Sequence, residues 1–269
     1  MTQKLIALDL DGTLTDSKKQ VSQRNRAALD RARERGHVVV LASGRPLPGV
    51  MPVAQELEFA EKGGFLLASN GSQIVDGRSG EVLAEQMLPP ETYHRILQLT
   101  KEFGCEAMTY DDRSILTETP NAKYVRAEAF NNSLPVTKVD SLEAALPGPV
   151  PKFLLVEEHE KLVPLEAALQ KEFGETLSIF FALPYFLDVN PRGVDKAAGL
   201  AKLCAHLHIP RDQAVAFGDG TNDITMLTWA GTGVAMGNAC EETKACADLV
   251  APTNDEDGVA QTLEALDIV

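Results

Sequence analysis

Short apolar segments alternate with longer amphipathic segments along most of the chain. After His37 the chain runs through five apolar residues to Ala42, which is typical of a strand buried on both faces of a parallel sheet. Similar runs at 4–8, 65–69 and 213–217 predict further strands of the same kind. This alternation predicts an α/β fold, in which a Rossmann-like, doubly wound parallel sheet forms the core.

Amphipathic stretches between these runs predict the helices that cover the sheet. One helix is predicted at 22–35, with Ser22 as its N-cap and Gly36 as its terminator. The C-terminal part predicts two short strands and two helices, at 233–236, 249–251, 222–229 and 258–266.

The middle of the chain has a different pattern. Predicted helices alternate there with strand-like runs, at 90–103, 114–118, 152–157, 159–173 and 176–182. We interpret this part as an α+β domain inserted into the first one. The predicted organisation is a core at 1–84 and 187–269 with an inserted domain at 85–186.

Composition and charge narrow the classes of function. The 269 residues include 25 Lys and Arg against 39 Asp and Glu, a net charge of −14, and 44% are hydrophobic. This hydrophobic fraction excludes disorder as the main state, and the acidity argues against nucleic acid and anionic membranes as partners. No apolar run has the length of a signal-peptide core or a membrane span, so we expect a cytoplasmic protein. The sequence leaves the oligomeric state open.

The first candidate motif, Asp9-Leu10-Asp11-Gly12-Thr13-Leu14, directly follows the first predicted strand. Open α/β sheets bind ligands at the carboxyl ends of their strands. Two carboxylates two residues apart at such an end face the same way. A solvated Asp-Gly turn is the alternative for this hexapeptide taken alone.

Three weaker motifs follow in chain order. Ser43-Gly44-Arg45 comes after the buried run at 38–42 and suits an anion, although it is also an ordinary strand-to-helix turn. Lys196 taken alone is most simply a surface residue. The segment 218–223 offers the oxygen atoms of Asp219, Asn222 and Asp223, which suit Mg²⁺, or it is a turn with a helix N-cap.

Together the four motifs resemble those of the haloacid dehalogenase-like hydrolase superfamily, which read DxDGT, Ser or Thr, Lys, and GDxxND. The order and the long interval between Arg45 and Lys196 are most similar to the Cof-type sugar-phosphatase-like branch, in which a large α/β cap is inserted there. The segments Ser69-Asn70-Gly71 and 185–189 add to this resemblance. One departure is Ala197, where branch members often have Gly.

The resemblance implies a role for each motif residue. Asp9 is the expected nucleophile, which forms an aspartyl-phosphate, and Asp11 is the expected general acid and base. Lys196 supplies positive charge between Asp9 and the phosphoryl group and lowers the pKa of Asp9, as does the metal. The expected Mg²⁺ ligands are Asp9, the Asp11 backbone carbonyl and Asp219, with Asp223 orienting metal-bound water.

The other expected contacts are to the substrate. The phosphate oxygens would bind the Leu10 N–H, Ser43, the Gly44 N–H, Asn222 and Lys196. From their positions, Arg45 and Asn70 are candidates for contacting the rest of the substrate.

The implied activity is a Mg²⁺-dependent phosphomonoesterase for small phosphorylated metabolites, with sugar phosphates first among them. A phosphotransferase or phosphomutase on the same scaffold is the alternative, which a comparison of free with transferred phosphate would separate. A regulatory phospho-acceptor domain is a further alternative, although Asp11 favours rapid dephosphorylation over a lasting signal.

Overall fold

The computed structural model describes residues 2–269. The strands, numbered in chain order, are β1 (Leu5–Leu8), β2 (Val38–Ala42), β3 (Phe65–Ala68), β4 (Gln73–Asp76), β5 (Val82–Glu85), β6 (Glu106–Tyr110), β7 (Ile115–Thr117), β8 (Val136–Lys138), β9 (Phe153–Val156), β10 (Leu177–Leu183), β11 (Phe186–Pro191), β12 (Ala214–Gly218), β13 (Thr232–Ala235) and β14 (Leu249–Val250).

The α-helices are α1 (Gln23–Glu34), α2 (Leu47–Glu56), α3 (Phe59–Lys62), α4 (Tyr93–Glu102), α5 (Lys123–Asn132), α6 (Leu142–Ala145), α7 (His159–Phe173), α8 (Lys196–Leu207), α9 (Ile224–Trp229), α10 (Glu241–Ala245) and α11 (Gly258–Ala265). Within residues 2–269 none of these helices has the length and apolar character that crossing a membrane requires.

The chain divides into two compact units. The first ends at Gly44, resumes at 50–84 and continues from Asp195 onward, while the second comprises 45–49 and 85–194. The predicted boundary between 186 and 187 therefore falls inside β11. This strand pairs with β9 and β10 along its length, and these hydrogen bonds place it in the sheet of the second unit.

The first unit is built on an eight-stranded sheet in the order β14-β13-β12-β1-β2-β3-β4-β5. The pairs from β14 to β3 are parallel, and β4 then runs antiparallel to β3. The central strands β1 and β12 are buried along their whole length, as their continuous apolar sequences predict. The predicted Rossmann-like core is confirmed.

Helix α1 shows how local sequence defines an element of this layer. The Ser22 side chain accepts a hydrogen bond from the Asn25 N–H, which caps the helix, and Gly36 follows its end with a φ of 84°. The face of α1 that carries Ala28, Leu29 and Ala32 is buried. This N-cap and terminator agree with the prediction.

The second unit contains a six-stranded sheet in the order β10-β11-β9-β6-β7-β8. One apolar cluster joins side chains of this sheet, among them Phe153 and Leu187, to Leu97 of α4 and Leu165 of α7. A second cluster joins Met108 and other side chains of the same sheet to residues of α5. The sheet is therefore covered by helices on both faces, which accounts for its apolar strands.

Charged side chains are buried within the second unit. The Lys152 Nζ lies 2.7 Å from Asp188 Oδ1, and their side chains are 5% and 2% exposed. Nearby, the Tyr110 hydroxyl donates to Glu128 Oε1 at 2.7 Å. Burial raises the pKa of Glu128, and Lys152 counteracts part of that rise. Each buried charge therefore depends on its partner.

We expect Lys152→Met to destabilise the protein by about 3–5 kcal/mol, because it leaves the Asp188 charge buried without its cation. The matched control is Lys101→Met in the same unit. Lys101 pairs with Glu118 at the surface, with a side chain that is 63% exposed, so its loss costs at most about 1 kcal/mol. Urea unfolding of the variants measures both changes, and equal midpoints would contradict the prediction.

Candidate active site

The candidate residues follow neighbouring strands at one edge of the first sheet. Leu8 is level with Phe217 of β12 and with Leu41 of β2, so the segments after these three strands emerge side by side. The Asp9 N–H continues the ladder by donating to the Phe217 carbonyl at 3.0 Å. The parallel sheet thus brings together motifs that are more than 200 residues apart in sequence, such as those containing Asp9 and Asp219.

Lys196 lies between two carboxylates of this edge. Its Nζ is 2.6 Å from Asp9 Oδ1 and 2.5 Å from Asp223 Oδ1. The side chain of Lys196 is fully buried, and Asp9 and Asp223 are 6% and 1% exposed. The Asp195 side chain caps α8 by accepting from the Ala198 N–H at 2.8 Å, which fixes Lys196 as the first residue of the helix.

The protonation of this cluster follows from its burial. Burial raises the pKa of Asp9 well above its ordinary value, and the Lys196 cation lowers it by less. Lys196 therefore lowers the pKa of Asp9 as expected, although burial raises that pKa by more. Burial by itself would lower the pKa of Lys196, but Asp223 and Asp9 together raise it above its ordinary value. Burial also raises the pKa of Asp219 to about 6.

Asp223 and Asp219 are held by hydrogen bonds within the motif segments. Asp223 Oδ2 accepts from the N–H groups of Asp219 and Gly220, both at 2.9 Å, while its Oδ1 contacts Lys196. Asp219 Oδ1 accepts from the Thr13 hydroxyl at 2.7 Å. Both oxygens of Asp223 therefore accept hydrogen bonds from protein groups, whereas Asp219 accepts the bond from Thr13 through Oδ1.

Three carboxylates of the cluster could hold a metal ion. Asp9, Asp219 and Asp223 each offer an oxygen, and these oxygens lie within 4.8 Å of one another. Hard oxygen donors of this kind suit Mg²⁺. The donor set and its spacing therefore fit the cation that the sequence predicts.

Gly12 allows the first motif to approach Asp219 closely. Its φ is +84°, and a Cβ at this position would lie 2.4 Å from Asp219 Oδ2. The Gly12 carbonyl accepts from Asn238 Nδ2 at 2.8 Å, so the segment after β13 supports the same turn. Any side chain here would displace a carboxylate of the cluster.

Asp11 lies beside this cluster and contacts a different cation. Its Oδ1 is 2.5 Å from the Nζ of Lys19, a residue of the loop that follows the first motif. The two side chains are 37% and 53% exposed, in contrast to the buried Lys196. Leu10, between Asp9 and Asp11, is buried, and its carbonyl accepts from the Thr15 N–H and hydroxyl.

The second motif is tied to the segment after β3. The Ser43 N–H donates to the Leu67 carbonyl at 2.8 Å, and the Ser43 carbonyl accepts from the Asn70 N–H at 2.9 Å. Asn70 Oδ1 in turn accepts from Asn222 Nδ2 at 3.5 Å. A Cβ on Gly44 would lie 3.2 Å from Asn70 Oδ1, so Asn70 links the second and fourth motifs.

The segment Ser69–Gly71 adopts an unusual backbone to make this link. All three residues have positive φ angles, which non-glycine residues rarely adopt. Gly71 and Gly199 pack against each other, because a Cβ on Gly199 would lie 3.1 Å from the Gly71 Cα. The glycine of α8 is therefore at 199, two residues after the departure at Ala197, and it lets the helix approach this segment.

Arg45 differs from Ser43 and Gly44 of the same motif, because it belongs to the second unit and not to the first. It lies in the segment 45–49, which clusters with the second unit, and its Nη1 donates to the Gly49 carbonyl at 3.3 Å. The sequence did not predict three supporting residues: Thr13 donates to Asp219, Lys19 contacts Asp11, and Asp195 caps the helix that begins with Lys196. An Asp directly before the first residue of a helix is a capping signal that the sequence contains, whereas the contact of Lys19 has no local signal.

Comparison with known proteins agrees with this arrangement. A family profile described as haloacid dehalogenase-like hydrolase matches residues 6–263. A haloacid dehalogenase-like hydrolase from Bacteroides thetaiotaomicron is 42% identical with a TM-score of 0.94, over 98% of this chain and 100% of that one. A subclass IIB sugar phosphatase is 25% identical with a TM-score of 0.85, over 99% and 100%. Pyridoxal phosphate phosphatase YbhA of Escherichia coli (strain K12) is 32% identical over 272 residues, 97% of each chain.

The chain belongs to the haloacid dehalogenase-like hydrolase family. The match spans both units, so the predicted resemblance to this superfamily and to its Cof-type branch is confirmed. The prediction of a phosphatase-type enzyme is likewise confirmed.

We expect Gly12→Ala to lower the hydrolytic activity about 100-fold or more, because the new Cβ must push Asp219 out of the cluster. Gly36→Ala is the matched control. Gly36 has the same φ of +84°, but a Cβ added there would meet nothing within 4 Å, so the substitution carries only the backbone strain of about 1 kcal/mol. Turnover and urea unfolding of both variants test this, and equal activities would contradict it.

Proposed function

We propose that the chain is a Mg²⁺-dependent phosphomonoesterase that hydrolyses small phosphorylated metabolites, sugar phosphates first among them, through an aspartyl-phosphate on Asp9. The observation that carries the proposal is the Lys196 ammonium between Asp9 and Asp223, with Asp219 and Asp11 beside it. A carboxylate nucleophile needs such compensation before it can approach a phosphate dianion.

Asp9 and Asp11 divide the chemistry between them. An oxygen of Asp9 attacks phosphorus, and the bond from phosphorus to the ester oxygen breaks as Asp11 gives that oxygen a proton. Water then attacks the phosphorus of the aspartyl-phosphate while Asp11 takes its proton, which releases phosphate and regenerates the Asp9 carboxylate. Asp11 is partly exposed, which suits a group that must reach both an incoming alcohol oxygen and water.

Asp9, Asp219 and the Asp11 backbone carbonyl are the groups we assign to Mg²⁺. When bound, the cation would neutralise the carboxylates and polarise the phosphoryl group. We assign Asp223 to orienting metal-bound water and not to binding the ion directly, because its two oxygens already bind Lys196 and two backbone N–H groups.

The oxygens of the phosphoryl group would be bound by the remaining motif residues. We assign these contacts to the Leu10 N–H, the Ser43 hydroxyl, the Gly44 N–H, the Asn222 amide and Lys196. The hydrogen bonds that join Ser43 and Asn222 to Asn70 support this grouping, because they hold the second and fourth motifs together.

We assign recognition of the leaving group to the second unit, which corresponds to the predicted cap domain. Its main segment, 85–194, is inserted between the second and third motifs. Arg45, which clusters with that unit, and Asn70 are the candidate substrate contacts. The similarity to a pyridoxal phosphate phosphatase and to a sugar phosphatase supports a small phosphorylated substrate. A cytoplasmic location remains a prediction.

We expect Asp9→Asn to abolish turnover and Asp11→Asn to slow it by about 10²–10⁴-fold while leaving a phosphoenzyme that can be trapped. The measurement is phosphate release from a panel of phosphorylated metabolites, with acid quench and mass spectrometry to detect the aspartyl-phosphate. Release of free phosphate distinguishes hydrolysis from transfer to a second metabolite. Full activity of purified Asp9→Asn would disprove the mechanism.

We expect excess chelator to abolish activity and added Mg²⁺ to restore it, because the buried carboxylates would then lack their divalent counter-ion. Lys196→Met serves as a comparison, since Mg²⁺ should not restore its activity. Undiminished turnover of the native protein in excess chelator would contradict the assigned metal role.

A further inference from the structure

Lys19 forms an ion pair with Asp11 that the motifs do not account for. Its Nζ lies 2.5 Å from Asp11 Oδ1, and both side chains are partly exposed to solvent. An exposed pair of this kind contributes little to stability, because water screens the charges and both side chains lose freedom. A gain in stability therefore does not explain the contact. The informative feature is that Lys19 pairs with Asp11, the proposed acid and base.

The loop that carries Lys19 is built to present this side chain. Thr15 and Val21 pair as an antiparallel bridge at the base of the loop. The Asp16 side chain accepts from the N–H groups of Lys18 and Gln20, both at 2.9 Å, and the Asp16 carbonyl accepts from the Lys19 N–H at 2.9 Å. One residue thus holds three consecutive N–H groups around Lys19.

Lys19 itself has a left-handed backbone, with a φ of 63°. This conformation is uncommon for a residue with a side chain and persists where the surroundings fix it. Here the hydrogen bonds of Asp16 on both sides supply that support. Because the backbone is fixed in advance, less freedom is lost when the side chain pairs with Asp11.

The loop is also anchored to the C-terminal part of the first unit. The Ser17 N–H donates to Asp255 Oδ1 at 2.8 Å, and Asn254 Nδ2 donates to the Thr15 carbonyl at 2.9 Å. The Thr15 hydroxyl donates to the carbonyl of Leu10, next to Asp11. The loop and the first motif therefore form one hydrogen-bonded assembly, with Lys19 and Asp11 facing each other across it.

We propose that Lys19 is a positioning residue that holds the Asp11 carboxylate where it exchanges protons with the leaving group and with water. The proposal rests on the proposed function, because it assigns Lys19 a task only if Asp11 is the acid and base. Proton transfer is sensitive to the placement of the donor, so a carboxylate that is held less firmly transfers protons more slowly.

The test compares Lys19→Met with Lys18→Met. Lys18 is a neighbouring lysine of the same loop, and no ion pair of its side chain is described within residues 2–269. Each protein is mixed rapidly with an alkyl phosphate or with p-nitrophenyl phosphate, and formation of the phosphoenzyme is measured. The p-nitrophenolate ion leaves without a proton, whereas an alkoxide needs one from Asp11.

We expect Lys19→Met to slow phosphoenzyme formation from the alkyl phosphate about tenfold and from p-nitrophenyl phosphate less than twofold. Lys18→Met should match the native protein with both substrates, and Lys19→Arg should recover most of the rate with the alkyl phosphate. The thermal unfolding midpoint of Lys19→Met should stay within about two degrees of the native value, because the pair is exposed.

An equal loss with both substrates, or no loss with either, would overturn the assignment of Lys19. A large fall in the unfolding midpoint would also overturn it, since the pair would then be structural. These results are distinct from failure of the proposed function, which would appear as absence of phosphoenzyme in the native protein.

Discussion

The ammonium group of Lys196 lies fully buried between the carboxylates of Asp9 and Asp223, and the arrangement of the site depends on this contact. A buried cation is tolerated only where anions compensate it, and each carboxylate in turn needs the cation. The three residues come from the end of β1, from the segment between β12 and α9, and from the start of α8. These three parts of the chain therefore cannot shift independently without leaving a charge unpaired.

The sheet topology makes that contact possible. With β12 and β2 on either side of β1, the segments that follow all three strands emerge at one edge, and α8 begins there because Asp195 caps it. Glycines allow the close approach of these segments. Gly12 leaves room for Asp219, and Gly199 of α8 packs against Gly71 in the segment that carries Asn70. Backbone packing, and not only the choice of polar residues, thus sets the distances within the site.

Much of the fold and of the chemical groups could be predicted from sequence because the relevant signals are local. Continuous apolar runs marked β1, β2 and β12, and Ser22 marked the start of α1. Helix α5 was missed, because charged and apolar residues are mixed along Lys123–Asn132 without a clear stripe. The end of the inserted unit was misplaced, because the partners of β11 are decided by tertiary pairing. The contact of Lys19 with Asp11 depends on a left-handed backbone that no motif specifies.

A net charge of −14 does not conflict with an anionic substrate, because the electrostatic field at the site is set by the groups nearby and not by the net charge. Burial raises the pKa of Asp9, and that of Asp219 to about 6, so burial opposes ionisation of both carboxyl groups. Lys196 offsets part of that charge, and under the proposed function a divalent cation would offset more and favour the ionised form of Asp9 that its proposed role as nucleophile requires. Under that proposal, cation binding and ionisation of Asp9 would be two aspects of one electrostatic balance. The acidity of the rest of the surface has little part in it, because salt screens exposed charges over about 10 Å.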